Sequence, residues 1–429
     1  MIVGCVVLGF LVQVPVSASA DHAPEPAWYV TFDGDANDPS DHANNVHSYD
    51  AGGQIVEKAV LPTGAGDPPL SELRGMLLTS DDLFYVANAT KTDSGILNYQ
   101  PAATPGGQLI PVPPSGVFAS GAPLNPGLDH PYALAASTSG GILVSSQDTA
   151  VVSAFDATGA PEPGTGASSW WSQQYPDVSF PAGTLVPSAT DVPVGEGGLT
   201  APRGIVVVPA AGEGDATLYV ADNGGKSVRR YDAVTGEFLG DVLTAKHDGI
   251  GDPVGLMVHG GELYVTSEGT NTVTGVNLAS GKTHEVVPEK FDKVTLDHPS
   301  GLAFGVDGRL YVASRVGQQI LAYTLDDAQT KATGAEVFID GLPHQPEQIL
   351  PLPESVTGIE PVPTSAPGTA AVHDGPAPEA GDIAPTGSSQ LAATGASPTA
   401  GWWAALALII GVVVCGLAAR PRRGAPRTR

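Results

Sequence analysis

Cysteine is almost missing from this 429-residue chain, and the two present, Cys5 and Cys415, fall in apolar stretches at its ends. The body between them carries no thiol, which excludes a disulfide framework and a thiolate metal site. Such a body must be held by its hydrophobic core, and roughly 330 residues can bury enough apolar surface for that. Basic residues are scarce as well. Of 19 Lys and Arg, five are Arg420, Arg422, Arg423, Arg427 and Arg429 in the tail, and no acidic residue lies in 1–20 or 395–429. The region between therefore sets 14 bases against 45 acids, a formal charge of −31. That surface repels phosphate backbones and argues against nucleic acid as a partner. It suits a solvated acidic exterior and is compatible with divalent cations. Also missing are a Gly-x-Ser-x-Gly elbow, a P-loop, a dinucleotide fingerprint and a His-Glu-x-x-His helix.

What is abundant is glycine (54) and proline (39), set among short Val/Ile/Tyr runs. This composition predicts many short strands joined by tight turns. The two ends read differently. Residues 2–16 are apolar but short for a membrane span, and Ala18-Ser19-Ala20 offers small residues at the −3 and −1 positions of a leader-peptidase site. Residues 1–20 are therefore read as a signal peptide cleaved after Ala20, with Ala18 at −3; a start codon set too late accounts for its missing basic segment. Gly401–Ala419 is an uncharged stretch of 19 residues, long enough to cross a bilayer as a helix of roughly 28 Å. Arg420-Pro-Arg-Arg follows it and holds that end in the cytoplasm.

Just before the span stands Leu391-Ala392-Ala393-Thr394-Gly395. The pentapeptide, span and arginine tail together resemble the cell-wall sorting signal of sortase substrates, commonly Leu-Pro-x-Thr-Gly. Ala392 in place of Pro is similar to the variant preferred by class E sortases of high-GC Gram-positive bacteria. The resemblance implies cleavage between Thr394 and Gly395 and transfer of the Thr394 carboxyl to a peptidoglycan amine. A plain single-span membrane protein is the alternative. Residues 354–390 are dominated by Pro, Ala, Gly, Ser and Thr without apolar periodicity, and are read as a wall-spanning linker reaching on the order of 100 Å when extended.

Between the ends the chain repeats itself. The unit is Pro-x-Gly-Leu, an apolar stretch, a Gly turn, Leu-Tyr-Val-Ala, a polar loop and a strand ending near Tyr-Asp. Clear copies begin at Pro202, Pro253 and Pro299, and weaker ones at Leu73 and Pro131. Each has the size of one propeller blade, which cannot bury both faces alone. A sixth copy is split. Trp28–Asp33 begins at the second strand, while the missing first strand appears at Gln345-Pro-Glu-Gln-Ile-Leu-Pro-Leu352. The split predicts six blades, with residues 28–33 against 346–352 closing the ring; a seventh blade within 157–200 is the rival. The repeats resemble the NHL and SMP-30/gluconolactonase families, both propellers, over roughly residues 28–352.

The gluconolactonase resemblance implies a lactone hydrolase with an axial divalent metal such as Ca²⁺. Its ligands would be a Glu on the first inner strand, matched by Glu347, an Asp near the end of a second strand, matched by Asp222, and Asn before the inner-strand Gly. At those last positions stand Arg203, Val254 and Ser300, and Arg203 repels a cation. Loops leading into the inner strands and loops after the second strands share the face where ligands bind by default. His130, Arg203, Asp222, Asn223, Glu268, His298, Arg315 and Glu347 are the candidate ligand-binding residues there. His130 and His298 belong to a repeated Leu-Asp-His-Pro tetrad, so capping of the strand start competes with a ligand role. Asp33-Gly-Asp-Ala-Asn-Asp38 spaces oxygens as a calcium loop does but lacks the acid at position 12, where Asn44 sits. A solvated turn is the simpler reading. Trp170, Trp171, Tyr175 and Phe180 in the insertion either pin it to the ring or form a stacking platform.

The expected architecture is thus an all-β six-bladed propeller over 21–353 with an insertion at about 157–200, then the linker 354–390 and the sorting region 391–429. The expected function is a wall-anchored recognition or scaffolding module, a substrate of a class E-like sortase attached to peptidoglycan and holding an unidentified extracellular ligand. The alternative is a surface-displayed, metal-dependent lactonase.

Overall fold

A computed structural model describes residues 25–353 apart from 35–41, 91–93, 103–105, 113–114, 163–169 and 210–215. The leader with Ala18 and Ala20, the linker 354–390, the sorting signal Leu391–Gly395, the apolar stretch 401–419 and most of the 33–38 acidic turn lie outside the described residues. Among the described residues no helix is long and apolar enough to cross a membrane.

The second strand of each repeat carries the Leu-Tyr-Val-Ala signature, and in five blades every residue of it is buried: Trp28–Phe32, Phe84–Asn88, Ile142–Ser146, Glu262–Ser267 and Leu310–Ser314. A strand buried on both faces must be covered on both faces. Here the cover is the neighbouring blade on each side. Six hydrophobic clusters result, one in each gap between consecutive blades.

Six antiparallel sheets make the blades, described from the inner strand outward. Blade 1 is Pro346–Pro351, Trp28–Phe32, His47–Tyr49 and Ile55–Glu57. Blade 2 is Leu73–Leu78, Phe84–Asn88 and Gly95–Gln100, with Ile110–Pro111 and Val117–Ser120 both paired to the third strand. Blade 3 is Pro131–Ala136, Ile142–Ser146, Val151–Phe155 and Thr184–Val186. Blade 4 runs from Pro202–Val208 through Thr217–Asp222 and Ser227–Asp232 to Phe238–Thr244. Blade 5 is Pro253–His259, Glu262–Ser267, Thr272–Asn277 and Thr283–Val287. Blade 6 is Pro299–Phe304, Leu310–Ser314, Gln319–Leu325 and Ala332–Ile339.

The expected closure is present. Trp28 pairs with Pro351, Tyr29 with Leu350, Val30 with Ile349 and Thr31 with Gln348, so the last strand becomes the innermost strand of the first blade. Among the described residues the insertion forms no seventh blade. Thr184–Val186 is instead the fourth strand of blade 3, and the chain from Phe155 to Thr184 is an excursion between the third and fourth strands. The excursion is pinned. Trp171 is 1 % exposed, donates its indole N–H to the Leu185 carbonyl at 3.1 Å and packs edge-on to Trp170 at 4.7 Å. With Phe180 also buried and the Tyr175 hydroxyl bonded to Glu196, these aromatics anchor the insertion and do not form an open stacking platform.

At the axis the inner strands come close enough to account for the Pro-x-Gly signature. A Cβ on Gly204 would stand 2.3 Å from the Val254 carbonyl oxygen, and one on Gly255 would stand 2.3 Å from that of Ser300. Hydroxyls on alternate blades stitch each of them to the next blade. Thr31 donates to the Arg74 carbonyl at 2.7 Å, Ser145 to that of Arg203 at 2.5 Å and Thr266 to that of Ser300 at 2.6 Å. The matching residues of blades 2, 4 and 6 are Ala87, Ala221 and Ala313.

Candidate functional site

The residue just before the inner-strand Gly position faces the axis at one end of the ring. In order around it stand Glu347, Arg74, Tyr132, Arg203, Val254 and Ser300. Arginine and glutamate on facing strands of a largely buried hub must pair, because an unpaired buried charge is costly. They do. One Glu347 oxygen meets Arg74 and also Arg315 at 2.9 Å, while the other accepts the Tyr132 hydroxyl at 2.9 Å. Arg74 and Arg203 flank the Tyr132 ring at 5.7 and 5.4 Å from its centroid. Arg203 binds Glu268 at 2.7 Å, and Arg315 joins Glu268 to Asp33 at 3.0 Å. Asp33 in turn holds His344.

The network continues outward from Arg74 to Glu72 at 3.2 Å, then to His130 at 3.8 Å and Asp148 at 3.6 Å. Burial opposes the charge of Arg315, but Glu347, Tyr132, Glu268 and Asp33 outweigh it and raise its pKa. Burial likewise pushes the Tyr132 phenol up, and Glu347 adds to the push. Four buried nitrogens of this cluster have no hydrogen-bond partner: Nε of Arg74, Arg203 and Arg315, and Nε2 of His130. Along the axis Arg74, Tyr132 and Glu347 of the hub, with Gly75, Gly204 and Gly255, line a cavity of about 60 Å³. It has room for a few waters. Beside the hub, on the same face, a recess of about 470 Å³ lies between the Asp148–Ala150 turn and the insertion, bounded by Pro181, Ser188, Asp191 and Thr200.

Of the residues singled out in the sequence, Arg203, Glu268, Arg315 and Glu347 meet at the hub and His130 sits at its edge. Asp222, Asn223 and His298 do not join them. Asp222, fully buried, accepts the backbone N–H groups of Thr200 at 3.1 Å and Ala201 at 2.8 Å, so it caps the turn leading into blade 4. Ser267 and Ser314 do the same for Gly251 and Asp297 in blades 5 and 6. Asn223 bonds the Pro253 carbonyl at 3.3 Å. His298 lies half exposed on the rim, paired with Asp297 at 2.7 Å.

The tetrad histidines owe their place to the backbone. Glu72, His130, Asp252 and His298 immediately precede inner strands and all adopt left-handed φ, between 48° and 50°. A non-glycine residue there costs about 1 kcal/mol, and four equivalent turns accept it. Sequence reading did not single out Glu72, Asp148 or His344. Alignment of Glu72 with His130 across the repeats is the signal that would have found it.

The metal reading does not fit the donor set. Both Glu347 oxygens are engaged by guanidinium and phenol donors, and those of Asp222 by backbone N–H. Among the described residues no group of three or more His, Cys, Asp and Glu is arranged to hold a metal ion. Asp33, the described start of the acidic turn, is committed to Arg315 and His344.

His130 gives the face a pH dependence. Burial lowers its pKa, Arg74 adds to the effect, and Asp148, Glu72 and Asp129 oppose it. The unfolded chain then binds the proton more tightly, so stability falls as pH drops below about 6.5 and is retained above it. Urea unfolding at pH 7 and pH 5 is expected to show a smaller loss on acidification in His130→Asn than in the wild type.

No family model and no curated protein matches the sequence. Solved structures do. A chain of a nidogen/laminin complex matches with a TM-score of 0.50 at 14% identity, covering 75% of this chain and 97% of that one. A protein assigned as a 6-phosphogluconolactonase from Bacteroides uniformis matches at 0.45 and 13% identity, covering 73% and 82%. Virginiamycin B lyase from Staphylococcus aureus matches at 0.38 and 14% identity, covering 64% and 73%. At such identities the likeness is one of fold, and the chain is a six-bladed β-propeller.

Proposed function

We propose that this chain is exported, joined to peptidoglycan through Thr394 by a class E-like sortase, and displays its propeller as a recognition or scaffolding module. The anchoring part rests on the order of leader, linker, Leu-Ala-Ala-Thr-Gly, apolar span and arginines along the sequence. The recognition part is carried by one observation: Glu347 is neutralised from within by Arg74, Arg315 and Tyr132. A hub spent on its own ion pairs leaves recognition to the rim, where the recess beside Asp148 and Asp191 opens to solvent. A propeller chain in a nidogen/laminin complex is a precedent for the fold in protein–protein assembly.

Two measurements test the proposal. Thr394→Ala is expected to move the protein from the covalent peptidoglycan fraction to the membrane or medium; equal covalent attachment would overturn the anchoring. Purified chain is expected to carry no stoichiometric divalent metal and to leave lactones intact. Bound Ca²⁺ or Zn²⁺, with hydrolysis abolished by Glu347→Gln, would replace the module by the hydrolase.

A further inference from the structure

The carboxylate that a gluconolactonase-like site would offer to a metal has another occupation here. Glu347 lies on the last strand, the one strand of blade 1 that is not continuous in sequence with the others. Its side chain is 1 % exposed and takes partners from blade 2 (Arg74), blade 3 (Tyr132) and blade 6 (Arg315). The residues on either side are pinned as well. The Ser300 hydroxyl of blade 6 lies 2.9 Å from the Pro346 carbonyl and 2.8 Å from that of Glu347. The Gln348 side chain accepts the Met76 N–H of blade 2, and the Gln348 N–H reaches the Thr31 hydroxyl at 3.2 Å. Three consecutive residues at the start of this strand are thus tied to four other strands and a loop by side-chain bonds. Val254, the equivalent residue of blade 5, has no polar side chain to do so.

We infer that residues 346–348, with Glu347 at their centre, form a latch that holds the closing strand in the ring. A strand added from the far end of the chain exposes a sheet edge whenever it leaves, and its ladder with Trp28–Phe32, the packing of Ile349 and Leu350, and its side-chain bonds oppose that. The chain runs on from Pro351 toward Thr394, so tension on a wall-attached molecule enters the propeller through this strand; that consequence rests on the anchoring reading. The latch sits at the opposite end of the strand from the load. Sliding the strand out requires drawing a buried carboxylate away from two guanidinium groups, which strips Glu347 of its partners and leaves Arg74 to Glu72 alone and Arg315 to Glu268 and Asp33.

Hydrogen exchange of the purified exported chain tests the latch without reference to anchoring, which the Thr394→Ala fractionation reads separately. Glu347→Gln is expected to speed exchange at least about tenfold in peptides covering 346–352 and 28–32, while peptides of blades 4 and 5 keep their protection. The double variant Glu347→Gln/Arg315→Gln removes one charge of each sign but does not restore the bond. It is expected to stay fast in the same peptides. Return of wild-type protection would reduce Glu347 to a counter-charge and overturn the latch, as would acceleration spread evenly around the ring or none at all. If Glu347→Gln does not fold, Ser300→Ala removes a pin without altering charge and is read by the same criteria.

Discussion

Trp171→Ala is expected to lower the free energy of unfolding by about 3–5 kcal/mol. The indole is 1 % exposed in the cluster shared by blades 3 and 4, among Leu185, Leu199, Tyr231 and Phe180. Its neighbours are shaped around it. A Cβ on Gly197 would stand 2.7 Å from the ring, and one on Gly236 would stand 3.1 Å from the indole nitrogen. Removing the ring loses the apolar burial, opens a cavity and leaves the Leu185 carbonyl without its indole donor. Because the insertion also supplies the fourth strand of blade 3 through Thr184–Val186, the loss reaches the ring itself. Circular dichroism in urea measures it. Trp171→Phe, which keeps a ring but not the N–H, should lose clearly less, and Trp170→Ala less again because Trp170 is only partly buried. Equal effects at 170 and 171 would show that the helix Trp170–Gln174 anchors as a unit, without a dedicated side chain.

Gly204→Ala is the second large effect, expected at about 3 kcal/mol, the upper end of overpacking costs. The added methyl would sit 2.3 Å from the Val254 carbonyl oxygen and 2.9 Å from the Leu256 nitrogen, both backbone atoms of the next inner strand. No side-chain rotation relieves that contact. Only a radial shift of blade 4 against blade 5 does, and a closed ring passes such a shift to every other gap. Gly195→Ala, where nothing lies within 4 Å, is the control and should stay within about 0.5 kcal/mol. A Gly204→Ala midpoint equal to that of the control would mean that the axis is looser than the contact distance implies.

Much of the fold was legible in the repeats because a propeller asks each blade for the same residues. Gly stands where inner strands touch, Tyr and Val where blades pack, and a short polar residue where a turn needs capping. The split copy was legible for a related reason. A ring without edges requires the first blade to borrow its missing strand from the chain end, and Pro346–Pro351 was the one orphan strand available. The insertion resisted this reading because it breaks the period: its blade strand, Thr184–Val186, has only three residues and no repeat signature.

The site was less legible than the fold. Arg203, Glu268, Arg315 and Glu347 could be placed on one face from their positions in the repeat. Asp222 shared that position type and proved to be a backbone cap, since a carboxylate beside two free N–H groups satisfies them first. The sequence by itself determined the blade repeat, the closing pair and the face on which the charged residues gather, because each follows from periodicity along the chain. The choice of six blades over seven came from the pairing of Thr184–Val186 with blade 3. Only the tertiary structure decided what those charges do. Pairing in the hub depends on which side chains lie within about 3 Å across the inner strands, and residues 273 positions apart, Arg74 and Glu347, become partners only when the ring is closed.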